Sequence, residues 1–216
     1  MSGQHWNNKN MKQIALEDVV KTYRRYAPFY DRLFGAVLEP GRRALADVVC
    51  KSSPASILEV GVGTGLMLSR YPADSSIVGV DVSSEMLEVA GKRIKSGTTR
   101  EIHLIKMDAE TMNFYDAHFD CVTVPYVLSV TPNPDKLIAE IRRVCRKGGL
   151  IFILNHFSGS HFWWFLERAV RSIADKIGFR SDFGFDEQIL KHDWEVLSVK
   201  NVNFLGLSKL VVIRNV

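Results

Sequence analysis

Cysteine is scarce in this chain. Cys50, Cys121 and Cys145 are too few and too scattered for a disulfide framework or a cysteine-rich zinc site, and no metal is expected. That scarcity points to a reducing, cytoplasmic setting. No apolar run approaches the roughly 18 residues that a membrane-spanning helix needs, and the first thirty residues hold no apolar core of a secretory leader. The expectation is a soluble chain, or one that lies on a membrane without crossing it. Internal repeats and low-complexity tracts are also missing. So is a G-K-[ST] element, which excludes a phosphate-gripping P-loop.

The 216 residues suit one domain with a small insertion or lid, and 46% hydrophobic against 24% charged residues excludes wholesale disorder. The net charge is only +4, but residues 1–51 carry nine Lys/Arg against five Asp/Glu, so the whole excess lies there. A basic N-terminal segment suits an acidic partner, either an anionic lipid surface or nucleic acid; a solubilising face is the plainer alternative.

From about residue 14 to 37 the pattern is helical and amphipathic. Leu16, Val19, Val20, Tyr23, Tyr26, Tyr30 and Phe34 fall on one side, and Lys21, Arg24, Arg25 and Arg32 on the other, with a break or restart at Pro28. A further helix covers roughly 40–50. Short apolar runs then alternate with helical patterns: Ser56–Val60, Ile77–Val80, Ile102–Lys106, Phe119–Val124 and Leu150–Leu154 as strands, Ser84–Lys95 and Pro134–Arg146 as helices, the second stopping at Gly148-Gly149. Such alternation predicts a doubly wound parallel sheet. Trp194–Asn203 and Leu207–Arg214 are too close for a crossover helix and should form an antiparallel hairpin. The expected fold is α/β: a mostly parallel seven-stranded sheet closed by a C-terminal antiparallel hairpin, preceded by N-terminal helices. Residues 1–50 would form amphipathic helices serving as a membrane or substrate lid. Residues 51–216 would form the binding domain, with a helical insertion at about 158–190.

The strongest local feature is Leu58-Glu59-Val60-Gly61-Val62-Gly63-Thr64-Gly65-Leu66, between a predicted strand and a helix. Glycines there let the backbone turn sharply and approach a ligand. Leu66 stands where the dinucleotide fingerprint needs its third glycine. Glu59 would repel a pyrophosphate but suits a cationic amine. Asp81, at the end of the second strand, can accept both hydroxyls of a ribose. Asp108, after the third, could hold an adenine amino group. All three carboxylates recur on the strand edge where doubly wound sheets bind ligands; the alternative is that each caps the following helix.

These residues carry a resemblance. Glu59/Gly61/Gly63/Gly65, Asp81, Asp108 and the closing hairpin resemble class I S-adenosylmethionine-dependent methyltransferases over nearly the whole chain. The resemblance implies S-adenosylmethionine as cofactor. Glu59, Gly61, Gly63, Thr64 and Gly65 would pass its methionine part, and Asp81 and Val82 its ribose. Met86, Asp108 and Ala109 would flank the adenine, with Pro125 closing the site.

Val124-Pro125-Tyr126-Val127 lacks the Asn and one Pro of the Asn-Pro-Pro-Tyr element found in base and amide N-methyltransferases, so nucleic acid is disfavoured as substrate. Phe162–Ile177 patterns as a helix with Trp164 on its polar side, a placement suited to a membrane interface; packing under a loop is the alternative. Tyr23–Phe34, Pro40–Ala44 and Leu150–Phe157 are similar to soluble, peripheral bacterial phosphatidylethanolamine N-methyltransferases. That resemblance implies successive methylation toward phosphatidylcholine and docking on the anionic inner face of the cytoplasmic membrane, with no protein partner. An amine must arrive unprotonated, so Tyr126, Asn155 and His156 are the candidate catalytic residues, and Tyr26 and Tyr30 the candidate lid. Rival readings are methylation of an isoprenoid quinone or other apolar small molecule, and a non-catalytic partner-binding protein of the same fold.

Overall fold

The computed structural model describes residues 38–94, 101–156, 184–185, 189–203 and 206–216. The expected amphipathic helix of residues 14–37, with Tyr26 and Tyr30, and the Phe162–Ile177 helix with Trp164 lie outside them.

Helix α1 (Glu39–Ser52) starts at Pro40, whose fixed φ suits a first turn, with Glu39 beside the positive end of the helix dipole and Lys51 near the negative end. It runs across the boundary expected at residues 50/51. Its buried stripe of Leu45, Ala46 and Val49 packs with Ile57, Ile77 and Phe152. Strand β1 (Ser56–Val60) leads into the glycine turn and a short 3₁₀ helix (Leu68–Arg70). Then come β2 (Ser76–Asp81), α2 (Ser84–Ile94), β3 (Ile102–Lys106) and β4 (Phe119–Pro125). Helix α3 (Pro134–Val144) is capped by Asn133, whose side chain accepts the Lys136 N–H at 3.1 Å. Strands β5 (Cys145–Asn155), β6 (Glu195–Val202) and β7 (Ser208–Arg214) complete the chain.

The seven strands lie in the order β3-β2-β1-β4-β5-β7-β6, with β1 to β5 parallel and β7 antiparallel to both neighbours. Alternating side chains feed two apolar layers. Leu58, Val122, Ile151 and Val211 pack on the α3 face with Leu137 and Ile141; Ile57, Cys121, Phe152 and Leu210 pack on the α1 face. The strand order turns back between β1 and β4, where such sheets leave a crevice beyond the strands' carboxyl ends.

One expected boundary is corrected. Gly148-Gly149 does not stop the helix: α3 ends at Val144, and the glycine pair lies inside the first part of β5. Asn215 locks the bend by donating its side-chain amide to Arg142 O at 2.9 Å and Cys145 O at 2.7 Å. Gly149 has no room for a side chain, because a Cβ would stand 2.8 Å from Arg146 O and Asp120 O; Gly148 has room but a φ of +72°. Gly149→Ala should therefore destabilise by about 3 kcal/mol and Gly148→Ala by about 1 kcal/mol, measured by denaturant unfolding.

Candidate active site

A cavity opens at the carboxyl ends of β1, β2, β3 and β4. It is lined by Glu59, Gly61, Val62, Gly63 and Thr64 from the first turn, by Asp81, Val82, Ser83 and Met86 from the second, and by Met107, Asp108 and Ala109 from the third. Pro125, Tyr126, Val127, Val130, Thr131 and Pro132 close it from the β4 side, and Leu38 and Arg42 from the first turn of α1. Most residues expected to hold a cofactor thus converge on one cavity. Gly65 does not line it; this glycine lies against Leu68 and Ala90, where the turn packs onto α2.

Glu59 is 1% exposed. Burial first, with the nearby Asp81 charge adding to it, pushes its carboxyl up to about 8 against an opposing hydrogen bond with Tyr71. Its Oε2 has no hydrogen-bond partner. The Tyr71 hydroxyl lies 2.9 Å from Thr123 Oγ1, which in turn donates to Leu58 O at 3.4 Å. Protons in this hydroxyl chain can point either way. A protonated Glu59 donates to Tyr71, and an ionised Glu59 accepts from it, so the chain serves both states. A carboxyl raised that far is mostly protonated at pH 7. A cation beside Oε2 would ionise it, and the orphaned oxygen is therefore a built acceptor for an amine.

Gly61 makes the close approach possible: its φ is +67°, and a Cβ there would come within 2.3 Å of Val127. Asp81 accepts the Gly63 N–H and the Ser83 N–H, both at 2.9 Å, one on each carboxylate oxygen. Burial raises its pKa, and these backbone bonds oppose the rise. These bonds, with a further one from the Val82 backbone, fix its direction. Asp108 holds its turn by accepting the Glu110 N–H at 2.9 Å. Glu110 braces the opposite wall by accepting from Thr131 Oγ1 and the Asn133 N–H, both at 2.6 Å. The site thus offers a buried carboxyl with an unpartnered oxygen, a second carboxylate fixed by backbone N–H groups, and an apolar stretch at Met86 and Ala109.

The three candidate catalytic residues are placed differently from one another. Tyr126 lines the cavity with a φ of +62°, rare for a non-glycine residue and a mark of a backbone over-determined by its surroundings. Its hydroxyl donates to Leu38 O at 3.4 Å and accepts from Asn203 Nδ2 at 3.0 Å. His156 does not line the cavity; its ring stacks on Tyr126 at 5.0 Å, and its Nδ1 donates to Leu207 O at 3.1 Å beside Ser208 Oγ. Burial holds its pKa below the ordinary imidazole value despite the Leu207 carbonyl. Asn155 is fully buried, with Oδ1 accepting from Ser129 and Nδ2 donating to His156 O at 2.8 Å. Both residues support Tyr126 and the end of β5 from behind, which corrects their expected place beside the reacting atoms.

Sequence reading missed Asn203. From the β6–β7 turn its side chain accepts the Gly41 N–H at 2.6 Å and donates to Tyr126 and to Ser208 Oγ. No local motif marks it, because its partners are 162, 77 and 5 residues away.

A cavity lined by a glycine turn and three carboxylates, Glu59, Asp81 and Asp108, lies at the switch point of a doubly wound sheet, where such folds bind nucleoside-bearing ligands. A family model described as a methyltransferase domain matches residues 58–153. A phosphatidylethanolamine N-methyltransferase of Cereibacter sphaeroides is 38% identical over 176 residues, covering 80% of this chain and 85% of that one. A demethylmenaquinone methyltransferase of Thermotoga maritima is 28% identical over 207 residues, covering 89% and 83%. The crystal structure of a methyltransferase from Methanosarcina mazei shares the fold, with a TM-score of 0.59, 18% identity and coverage of 74% and 92%. The chain belongs to the class I S-adenosylmethionine-dependent methyltransferases, and S-adenosylmethionine is its cofactor.

Asn203→Ala should free the Tyr126 hydroxyl and the first turn of α1 together. Turnover should fall about tenfold or more, while cofactor affinity, measured by calorimetry, should stay within about twofold of the wild type.

Proposed function

We propose that this methyltransferase acts on the amine of phosphatidylethanolamine at an anionic membrane surface, transferring methyl groups successively toward phosphatidylcholine. The observation that carries the choice of acceptor is the 38% identity, across four-fifths of the chain, with an enzyme named for that substrate. The chemistry of the cavity agrees with it.

When bound, S-adenosylmethionine supplies a methyl group on a sulfonium, open to in-line displacement by a free amine. Glu59, the glycine turn, Asp81 and Asp108 hold and orient it. Tyr126 presents both a ring and a hydroxyl to the cavity. Its hydroxyl is held between Leu38 O and Asn203 Nδ2, which fixes the ring's place on the cavity wall. The ring face suits the growing positive charge of a di- or trimethylated headgroup through cation–π attraction. Val127, Val130 and Pro132 keep that wall apolar, so water is displaced as a headgroup enters. His156, stacked behind Tyr126, holds the ring in place, and burial disfavours its cationic form.

Peripheral docking rests on the sequence. The basic amphipathic segment of residues 14–37 leads directly into α1, whose first turn walls the cavity, and Tyr26 and Tyr30 would close over the site from it. No helix among the described residues is long and apolar enough to cross a membrane. A second reading, C-methylation of a quinone, is favoured by the 28% identity with the demethylmenaquinone enzyme over 89% of the chain.

Labelled methyl transfer to liposomes tests both. With phosphatidylethanolamine and anionic lipid present, label should enter mono-, di- and trimethylated headgroups, and it should fall at least tenfold without anionic lipid. Label entering a demethylated menaquinone while phospholipid stays unlabelled would replace the phospholipid reading by the quinone one.

A further inference from the structure

Tyr71 bonds to a residue of the cavity wall without lining the cavity itself. It follows the 3₁₀ helix, is 2% exposed, and belongs to the apolar layer of Met67 and Ile77, yet it carries a hydroxyl there. Thr123, fully buried in β4, sets a second hydroxyl beside it, with the two oxygens 2.9 Å apart. Side chains alternate along a strand, so Thr123 faces the side of Cys121 and Glu59 the side of Ile57, both the α1 side. Glu59 and Thr123 stand opposite each other in register, and Tyr71 closes the group by a hydrogen bond with Glu59. Burying a hydroxyl in an apolar layer costs free energy unless it is bonded. Phenylalanine and valine in these two places would fill the same space without that cost, so packing does not account for the pair.

What the pair serves is the carboxyl of Glu59. The last torsion of a glutamate is broad and two-fold, so an untied carboxyl swings, whereas one bonded at a single oxygen has a set direction. Asp81, at the end of β2, adds a like charge that disfavours ionised Glu59, and Arg42 of α1 lines the same cavity. Burial, with the Glu59 charge adding to it, pushes the Tyr71 hydroxyl up, so it keeps its proton and stays a donor. We propose that Tyr71 is a positioning residue for cofactor binding: backed by Thr123, it ties one oxygen of Glu59, leaves the other for the cavity, and supplies the donor that the ionised carboxylate needs. The proposal rests on Glu59 meeting the cofactor's amine and not on the identity of the methyl acceptor. Tyr71 acts through Glu59 alone, because it has no surface on the cavity.

A double-mutant cycle read by calorimetric affinity for S-adenosylmethionine at pH 7 tests this without any turnover. Tyr71→Phe should weaken binding roughly ten- to a hundredfold. In a Glu59→Gln background, where no carboxylate remains to be served, the same change should cost no more than about threefold. Proton counting gives a second readout. Without the Tyr71 donor Glu59 ionises less readily, so at pH 8 Tyr71→Phe should release more protons per cofactor bound than the wild type. Thr123 keeps Leu58 O as its acceptor, so Tyr71→Phe strands no hydroxyl, and melting curves check that it folds. Thr123→Val, which cuts the chain one step further back, should cost about fivefold, a loss that vanishes with Glu59→Gln; it carries the test if Tyr71→Phe does not fold. Equal losses for Tyr71→Phe with and without Glu59 overturn the proposal in favour of a purely structural role. Undiminished affinity in Tyr71→Phe overturns it as well. A Glu59→Gln variant that binds as tightly as the wild type overturns it at its premise, and leaves the methyltransferase assignment standing.

Discussion

Glu59 ends β1 with one carboxylate oxygen in reach of Tyr71 and the other without a protein donor, in a position where ionisation without a counter-charge is costly. Every feature of the cofactor end is arranged around that constraint. The residue pairs in register with Thr123 on β4, whose hydroxyl completes the chain through Tyr71. The glycine turn follows at once, so a ligand can approach the backbone next to the acid. A neutral acid is tolerable in the empty cavity, and an ammonium makes the ionised form tolerable instead. Charge selection thus comes from burial more than from any surface patch.

The two ends of the cavity are built on different principles. On one side of the cavity, β1, β2 and β3 each deliver a carboxylate to the same sheet edge: Glu59, Asp81 and Asp108. Rigid neighbouring strands β1, β2 and β3 fix their spacing. The wall around Tyr126 is assembled from parts far apart in sequence. Tyr126 comes from β4, His156 from the end of β5, Asn203 and Ser208 from the β6–β7 turn, and Leu38 and Gly41 from α1. The chain's relatives are named for both phospholipid and quinone methylation, so the fold alone does not choose the acceptor.

Legibility from sequence followed the same division. The seven strands, the closing hairpin and the three carboxylates were readable because each lies within a short stretch whose periodicity and glycines report local geometry. Gly148-Gly149 misled, since a glycine pair after a helical pattern reads as a stop, whereas here close backbone packing inside β5 requires it. Asn155 and His156 follow a strand end as catalytic groups do, but the closing hairpin covers them, and burial of that kind is set by long-range pairing of β5 with β7. Asn203 carries no local signal at all. Its hydrogen bonds exist only once α1 and the β6–β7 turn meet beside Tyr126.

The central claim is that a neutral, buried Glu59 becomes the counter-ion of the cofactor's amine, and proton counting reads it directly. A carboxyl raised to about 8 is protonated at pH 6.5, so pairing it with an ammonium must expel a proton. Cofactor binding at pH 6.5, followed by calorimetry in buffers of different ionisation enthalpy, should release close to one proton. The release should shrink as pH rises through 8 and vanish in Glu59→Gln. Binding by the wild type with no proton released at pH 6.5 would contradict the account.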